Sequence, residues 1–289
     1  MTVAVLGSTT IDTVVLGSRR VSKLGGVTTY SGITYARQGV KCMIVSNVAG
    51  CDHELLKPLT NEHLILRVGE SRHTTRFVNR IEGETRRQEM PTAADPIEWQ
   101  QLSGIIGRVE ILHLGPLHPD DIAHDVYSRL LSSQAPAVLD VQGMVRRVRN
   151  HRVQPAVSEH LPDALRACAI VKADEFELDT LQRFFKVGVW HIMAEFKIQE
   201  LVVTSGPKGG YVLTGDGQTV CYAGVPIQSA ADPTGAGDVF FASYVIDRLI
   251  RQRSVAQACA SAAALAALLV EGRFILPQTL SLAKTDPSG

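Results

Sequence analysis

Short apolar runs recur along the chain, and each is followed by Gly, Ser, Asn or a charged residue. The runs are residues 3–6, 43–45, 111–114, 137–139, 169–171 and 201–203. They are continuous rather than alternating, which predicts strands buried on both faces of a parallel sheet. Helical patterns lie between them, so the chain is expected to be an α/β protein built from βαβ units. In such sheets ligands bind beyond the carboxyl ends of the strands.

Two stretches depart from this pattern and alternate between polar and apolar residues. Residues 12–24 contain a Gly-Ser turn, and residues 74–90 turn around Glu82 and Gly83. Each predicts a β-hairpin outside the βα repeat. The sequence leaves two interpretations open: a small β lid shared by both stretches, or two surface hairpins with no common function.

Composition and charge limit the classes of partner. The 289 residues are 45% hydrophobic and 20% charged, which favours one α/β domain spanning residues 1–289. Lys and Arg number 29, as do Asp and Glu, so the net charge at pH 7 is +0. This balance argues against a nucleic-acid or anionic membrane partner, because such binding depends on clustered positive charge.

The five cysteines are scattered, and none forms a C-x-x-C pair. This usage predicts a reducing, cytoplasmic compartment. Residues 1–6 are interpreted as a buried strand rather than as part of a signal peptide. The most apolar stretch, residues 255–270, is shorter than the roughly 20 residues that span a bilayer, and is predicted to be a core helix.

The segment that indicates chemistry is DPTGAGD at residues 232–238, which precedes an apolar helical run. Gly235, Ala236 and Gly237 are small enough to let the backbone approach a ligand, and a helix is predicted to begin at about Asp238. Amide groups and the helix dipole then converge on one anion-binding site. A carboxylate at its edge suits phosphoryl transfer, in which Asp238 accepts the proton of an attacking hydroxyl.

Taken alone, the G-x-G element is also typical of an ordinary turn before a helix. It is not a dinucleotide-binding fingerprint, because Phe240 stands where the third Gly belongs, and the chain contains no G-x-x-x-x-G-K-[ST] loop. A kinase with this sequence would therefore not be a P-loop kinase.

DPTGAGD closely resembles the C-terminal signature of ribokinase-like (PfkB) carbohydrate kinases, and further segments resemble the family's pattern in the same order over nearly the whole chain. These segments are Gly7 with Asp12, Gly25-Gly26 with Gly39, KADEFE at 172–177 and TSGPKG at 204–209. Asp174 departs from the Asn usual in the third segment. The resemblance implies a three-layer αβα sandwich with a mostly parallel sheet and a small β lid.

The resemblance also implies roles for individual residues. Asp238 would be the base, with Gly235, Ala236 and Gly237 holding the transferred group. The residues expected to bind the acceptor are Asp12, Gly25, Gly26, Gln142 and Arg146. The residues expected to bind ATP are Lys172, Glu177, Thr204, Gly206, Gly209, Asp232 and Thr234.

Two ions are implied in the same way. Glu177 would act on Mg²⁺ through water, because Mg²⁺ keeps much of its hydration. The anion-binding segment at residues 232–238 is called the anion loop below. Asp232 and Thr234 resemble positions that shape this loop through a monovalent cation such as K⁺. As bare residues, several candidates have structural alternatives: Asp12 as a solvated turn residue, the acidic residues at 174–179 as a solvated helix start, and the arginines at 146–149 as a solvated helix face.

Residues 139–146, LDVQGMVR, resemble the D-x-Q-x-x-x-R segment of myo-inositol kinases, and Tyr30 stands where Asn is common, which argues against ribose. The leading hypothesis is an ATP-dependent kinase that phosphorylates a small polyol or sugar, with myo-inositol favoured. Three alternatives stay open: a nucleoside kinase, a sugar-phosphate kinase using Arg76, Arg80 and Arg86 of the lid, and a non-catalytic sensor that binds a nucleotide or polyol. The chain is expected to be a monomer or a homodimer joined through lid edges.

Overall fold

The computed structural model describes residues 1–82, 85–229 and 232–282, which form two β-sheets and the helices that pack on them. The strands are β1 (Thr2–Leu6), β2 (Thr10–Leu16), β3 (Arg19–Gly25), β4 (Lys41–Ala49), β5 (Ile65–Ser71), β6 (Thr75–Glu82), β7 (Thr85–Thr92), β8 (Ile111–Leu114), β9 (Ala137–Asp140), β10 (Arg146–Arg149), β11 (Arg152–Pro155), β12 (Ile170–Asp174), β13 (Glu200–Thr204), β14 (Gly209–Thr214) and β15 (Thr219–Ala223). The α-helices are α1 (Val27–Arg37), α2 (Lys57–Asn61), α3 (Trp99–Ser103), α4 (His124–Leu130), α5 (Leu161–Ala167), α6 (Glu175–Phe185), α7 (Val189–Phe196), α8 (Ala236–Val245), α9 (Val255–Val270) and α10 (Pro277–Leu280).

The large sheet has nine strands in the order β15-β14-β13-β12-β9-β8-β1-β4-β5. All pairings from β13 to β5 are parallel, and β14 and β15 add an antiparallel edge. The continuous apolar runs follow from this position. In β1, Val3 and Val5 pack into one core cluster, whereas Ala4 and Leu6 pack into a second cluster on the other face. The prediction of strands buried on both faces is confirmed.

Helices cover both faces of the large sheet. Residues of α1, α2, α8 and α9 form one core cluster with the sheet, and residues of α3 to α7 form the other. The predicted core helix at 255–270 is α9. The predicted three-layer αβα sandwich is thus confirmed. Within the described ranges, no helix combines the length and the apolar character that crossing a membrane requires.

The small sheet has six strands in the order β10-β11-β7-β6-β2-β3. It unites the two predicted hairpins, because β2 pairs in parallel with β6, with Thr10 opposite Thr75. The two stretches are therefore one structure rather than separate surface hairpins. The predicted turn at Glu82 and Gly83 lies partly outside the described residues.

A third hairpin, β10 and β11, completes the small sheet and was not predicted. The alternative that residues 146–149 form a solvated helix face is wrong, because they are a strand whose side chains alternate between half-buried and exposed. Asn150 and His151 have φ values of 50° and 63°, as the two central residues of a type I′ turn do. The tight turn returns the chain so that β11 pairs with β7 at Arg152 and Glu89.

Candidate active site

A cavity of about 550 Å³ lies between the small sheet and the carboxyl ends of the parallel strands. It brings together twelve of the sixteen residues predicted to form the site. These are Asp12, Gly26, Gln142, Arg146, Lys172, Glu177, Thr204, Gly206, Thr234, Gly235, Gly237 and Asp238. Segments more than 200 residues apart in the chain, from Asp12 to Asp238, therefore meet at one cavity at the carboxyl ends of the strands.

The other four predicted residues do not line the cavity. Gly25 lies behind Asp12, and a Cβ added at Gly25 would come within 2.3 Å of Asp12 Oδ2. Gly209 has a φ of 95°, and a Cβ there would meet the carbonyl oxygen of Tyr222 at 2.1 Å, so close strand packing accounts for it. Ala236 and Asp232 adjoin the cavity without lining it; Asp232 forms an ion pair with Lys23.

Helix α8 begins at Ala236, two residues before the predicted start, because Gly235 is its N-cap with a φ of 83°. A Cβ added at Gly235 would lie 2.3 Å from the ring of Tyr30, so the turn is closely packed against α1. Gly235, Gly237 and Asp238 all line the cavity. The amino end of α8 thus faces the cavity, where its amide groups can bind an anion.

Asp238 stands in the first turn of α8 among other charged groups. Burial raises the pKa of Asp238 to about 7, with Asp140 and Asp12 adding to the rise while Lys172 and Arg146 oppose it. A carboxylate that titrates near neutral pH is well matched to accept a proton from a hydroxyl group.

Lys172 and Asp140 form an ion pair in the floor of the cavity. They are register partners on the adjacent strands β12 and β9, and Lys172 Nζ donates to Asp140 Oδ2 at 2.7 Å. Burial alone would lower the pKa of Lys172, but Asp140, Glu177 and Asp238 hold it above its ordinary value. A Cβ added at Gly237 would lie 3.5 Å from Lys172 Nζ, so a fixed positive charge stands beside the amino end of α8.

Glu177 and Asp174 form a capping box at the start of α6. Asp174 Oδ1 accepts from the Glu177 amide at 2.7 Å, and Glu177 Oε2 accepts from the Asp174 amide at 2.8 Å. These residues do form a helix start, as the structural alternative held. Glu177 is not solvated, however, because it is buried at the cavity wall. Burial raises the pKa of Glu177, so a nearby cation would stabilise its charged form.

Asp12 stands at the end of the cavity formed by the small sheet. It is 7% exposed, and its Oδ1 accepts from Thr10 Oγ1 at 2.7 Å, so the alternative of a solvated turn residue is wrong. Gly26 has a φ of 87°, and a Cβ there would meet the carbonyl oxygen of Ser8 at 2.2 Å. Two of the three lid arginines expected for a phosphate-bearing acceptor, Arg76 and Arg80, do not line the cavity and pair with carboxylates instead. The side chain of the third, Arg86, lies outside the described part of the chain.

Sequence reasoning missed several residues that line the cavity. They are Tyr30, Phe77, Gln88, Leu117, Asp140, Asp174 and Pro233. Asp140 had a usable signal, because it directly follows an apolar run that predicts a buried strand. Phe77 and Gln88 had none, since which face of a hairpin covers the cavity depends on how the two sheets are packed.

The sequence matches the model of pfkB family carbohydrate kinases over residues 4–273. The chain belongs to this family. A search of curated proteins finds no match for the chain. As a member of the family it is a kinase-family protein with the ribokinase-like fold, as the resemblance implied.

Solved structures share the fold of this chain. A sulfate complex of a pyrophosphate-dependent kinase in the ribokinase family superposes with a TM-score of 0.83 at 22% identity, covering 94% of this chain and 95% of that one. A pyrophosphate-dependent kinase complexed with a pyrophosphate analogue and myo-inositol has a TM-score of 0.79 at 22% identity, covering 93% and 95%. The nucleoside kinase of Burkholderia thailandensis with inosine has a TM-score of 0.76 at 15% identity, covering 94% and 91%. At these identities the likeness shows the fold.

Proposed function

We propose that this pfkB family member is an ATP-dependent kinase that transfers a phosphoryl group to a hydroxyl of a small polyol or sugar, with myo-inositol the favoured acceptor. The observation that carries the proposal is Asp238. It lines the cavity in the first turn of α8, and its pKa of about 7 is set by burial together with charges from both the Asp12 end and the Lys172 end.

In the proposed reaction the acceptor hydroxyl attacks the terminal phosphorus of the donor. Asp238 accepts the hydroxyl proton as the new O–P bond forms, and the bond to the leaving phosphate oxygen breaks. The amides at Gly235 to Gly237 and the ammonium of Lys172 face the phosphoryl group and stabilise its charge.

Glu177 fits the expected magnesium role. Its buried carboxylate lines the cavity, and one of its oxygens, Oε2, is already engaged by the Asp174 amide. The described residues contain no group of three or more His, Cys, Asp or Glu side chains that could enclose a metal, which suits an ion held mainly by phosphate oxygens and water. When bound, Mg²⁺ would neutralise charge on the donor phosphates.

The acceptor end favours a neutral polyol over a sugar phosphate. Asp12 can accept two hydroxyl hydrogen bonds, and the amides of Gln88 and Gln142 offer further partners. Arg76 and Arg80, two of the three lid arginines considered for holding a phosphate, are paired with Asp52 and Glu89 instead. Myo-inositol is favoured because residues 139–146 resemble the myo-inositol kinase segment, and one similar structure is complexed with that compound.

Pyrophosphate is the second candidate donor, because two of the similar structures are of pyrophosphate-dependent kinases. ATP is preferred because the T-x-G-x-x-G segment brings Thr204 and Gly206 to the cavity, as expected for a nucleotide loop. We further propose that the small sheet acts as a lid that excludes water, so that transfer prevails over hydrolysis.

The test is a matrix of donors and acceptors. ATP and pyrophosphate are each paired with myo-inositol, ribose, fructose, fructose phosphate, adenosine and cytidine, and the phosphorylated acceptor is quantified directly. Turnover is expected with ATP and myo-inositol. If product forms with pyrophosphate and not with ATP, the proposed donor is wrong and pyrophosphate takes its place. If product forms from another acceptor and not from myo-inositol, the proposed acceptor is wrong.

Asp238→Asn tests the mechanism within the same assay. It should lower the rate by about 10²- to 10⁴-fold, the usual contribution of a general base. Asp120→Asn is the matched control, because it makes the same change at an exposed carboxylate and should retain the wild-type rate. Wild-type activity in Asp238→Asn would refute the role of the base, and tight binding of donor and acceptor without product would favour the sensor.

Loss of folding should not explain an inactive Asp238→Asn variant. The pKa of Asp238 is raised in the folded protein, so its contribution to stability is present at low pH and is lost as the pH rises through about 7. Removing the charge should therefore leave the variant at least as stable as the wild type at pH 8, which thermal unfolding can check.

A further inference from the structure

The carboxylate of Asp232 is already engaged by donors of the protein itself. Its Oδ2 accepts from Lys23 Nζ, and its Oδ1 accepts from the Thr234 amide at 2.9 Å. Burial alone would raise the pKa of Asp232, but the hydrogen bonds from Lys23 and Thr234 hold it below its ordinary value. The monovalent cation implied by the family resemblance at Asp232 and Thr234 does not fit this arrangement, because an ammonium group already contacts the carboxylate.

Lys23 reaches this position from the small sheet. It lies on the edge strand β3, opposite Asp12 in the register of β2 and β3, and its backbone also bridges to Ser281 near the end of the described chain. The Lys23 side chain is 13% exposed, whereas that of Asp232 is 39% exposed. A strand held on both sides therefore presents a fixed ammonium group to the loop that precedes α8.

Lys23 also contacts the anion loop indirectly, through the ring of Tyr30. Its Nζ lies 5.8 Å from the centroid of the Tyr30 ring, and that ring packs directly against Gly235. Lys23, Tyr30 and Asp232 thus hold the turn from Asp232 to Gly235. The conformation of this turn determines where the amides at the amino end of α8 point.

We infer that the ammonium group of Lys23 replaces a monovalent cation at the anion loop, so that the loop is ordered without K⁺. This rests on the proposed function only in that the loop binds a phosphoryl group. A tethered ammonium carries the same charge as K⁺ and donates hydrogen bonds, but it cannot dissociate into solvent. Its occupancy therefore does not depend on the concentration of salt ions.

The first measurement uses the wild-type protein. Its unfolding temperature and its affinity for inorganic pyrophosphate are measured in KCl and in tetramethylammonium chloride at equal ionic strength, and the rate is measured if an acceptor has been found. All three should be the same in the two salts. Specific stabilisation, tighter binding or activation by K⁺ would overturn the inference.

The second measurement removes the ammonium group of Lys23 by substitution and asks whether a cation from solution can take its place. Lys23→Met should weaken pyrophosphate binding by about tenfold or more, which corresponds to 1.4 kcal/mol, and K⁺ or NH₄⁺ should restore part of it. Arg20→Met is the matched control, because it removes a positive charge from an exposed position on the same strand and should not respond to K⁺. Lys23→Arg retains the charge and should behave like the wild type.

These outcomes separate the inference from the proposed function. If no acceptor is phosphorylated but the binding and unfolding results follow the expected pattern, the cation inference stands while the kinase proposal fails. If Lys23→Met and Arg20→Met behave alike in both salts, the inference is refuted whatever the activity.

Discussion

Two lysine–aspartate ion pairs flank the anion loop, and they differ in how they are placed. Lys172 and Asp140 are register partners on neighbouring parallel strands, and both are at least 95% buried. Lys23 and Asp232 are 209 positions apart and join the edge of the small sheet to a loop at the cavity rim. The first pair belongs to the core of the large sheet, and the second exists only because two sheets pack together.

The difference indicates separate roles. A buried pair is costly to disrupt, because removing one partner leaves the other charged group without water or a counter-ion. A rim pair contributes little to stability but can determine the conformation of a loop. The Lys172 pair is therefore expected to stabilise charge during phosphoryl transfer. The Lys23 pair is expected to position the loop that precedes α8.

The largest expected effect is on the buried pair. Lys172→Met should lower the free energy of unfolding by about 3–5 kcal/mol at pH 8, because it leaves Asp140 buried and unpaired. Urea unfolding measures this. The double variant Lys172→Met with Asp140→Leu should recover much of the loss, and a single variant as stable as the wild type would show that the floor of the cavity is well hydrated.

A second comparison uses the two glycines of the anion loop. Gly235→Ala should destabilise the protein by about 1–3 kcal/mol, because its φ of 83° is strained for alanine and the new Cβ meets the Tyr30 ring. Gly237→Ala is the matched control: its Cβ would make an ordinary 3.4 Å contact with Lys172, and alanine is favoured in a helix by about 0.5–1 kcal/mol. Equal losses from both would contradict the described packing on the Tyr30 side.

The pH dependence of the rate tests whether the charge of Asp140 raises the pKa of Asp238. The proposed mechanism requires ionised Asp238, so the rate should fall about tenfold per pH unit below a pH near 7. Asp140→Asn removes a negative charge that raises the pKa of Asp238, so the acid limb should move to lower pH. If Asp140→Asn loses activity while the pH at which the rate falls stays unchanged, Asp140 has a purely structural role.

The smallest expected effect is on the stability of the rim pair. Lys23→Met should lower the free energy of unfolding by no more than about 1 kcal/mol, and less at high salt, because such pairs are screened. Urea unfolding at two ionic strengths checks both points. A loss as large as that of Lys172→Met would mean that Lys23 supports the packing of the two sheets as well as the loop.

Much of the fold could be predicted from periodicity. The continuous apolar runs identified six strands of the large sheet, and the alternating stretches identified four strands of the small one. Strand β5 and the edge strands β14 and β15 lacked such a signal. The hairpin β10 and β11 was missed because the turn at Asn150 and His151 contains no glycine, although both residues adopt positive φ.

The site divides in the same way. The local pattern of DPTGAGD was enough to predict an anion loop and a carboxylate base, because the conformation of glycine and the polarity of a helix end act over a few residues. The sequence also placed Asp140 and Lys172 at the ends of predicted strands, without showing that those strands are neighbours.

By itself, then, the sequence determined the α/β class and predicted an anion-binding turn at the start of a helix, since these depend on short-range periodicity and backbone geometry. Most of the other residues that line the cavity were predicted only through the family resemblance. Only the tertiary structure decided which charges pair. The order of strands in the large sheet set Lys172 beside Asp140, and the packing of the small sheet set Lys23 on Asp232. Both arrangements depend on contacts between segments far apart in the chain, and no local pattern encodes that distance.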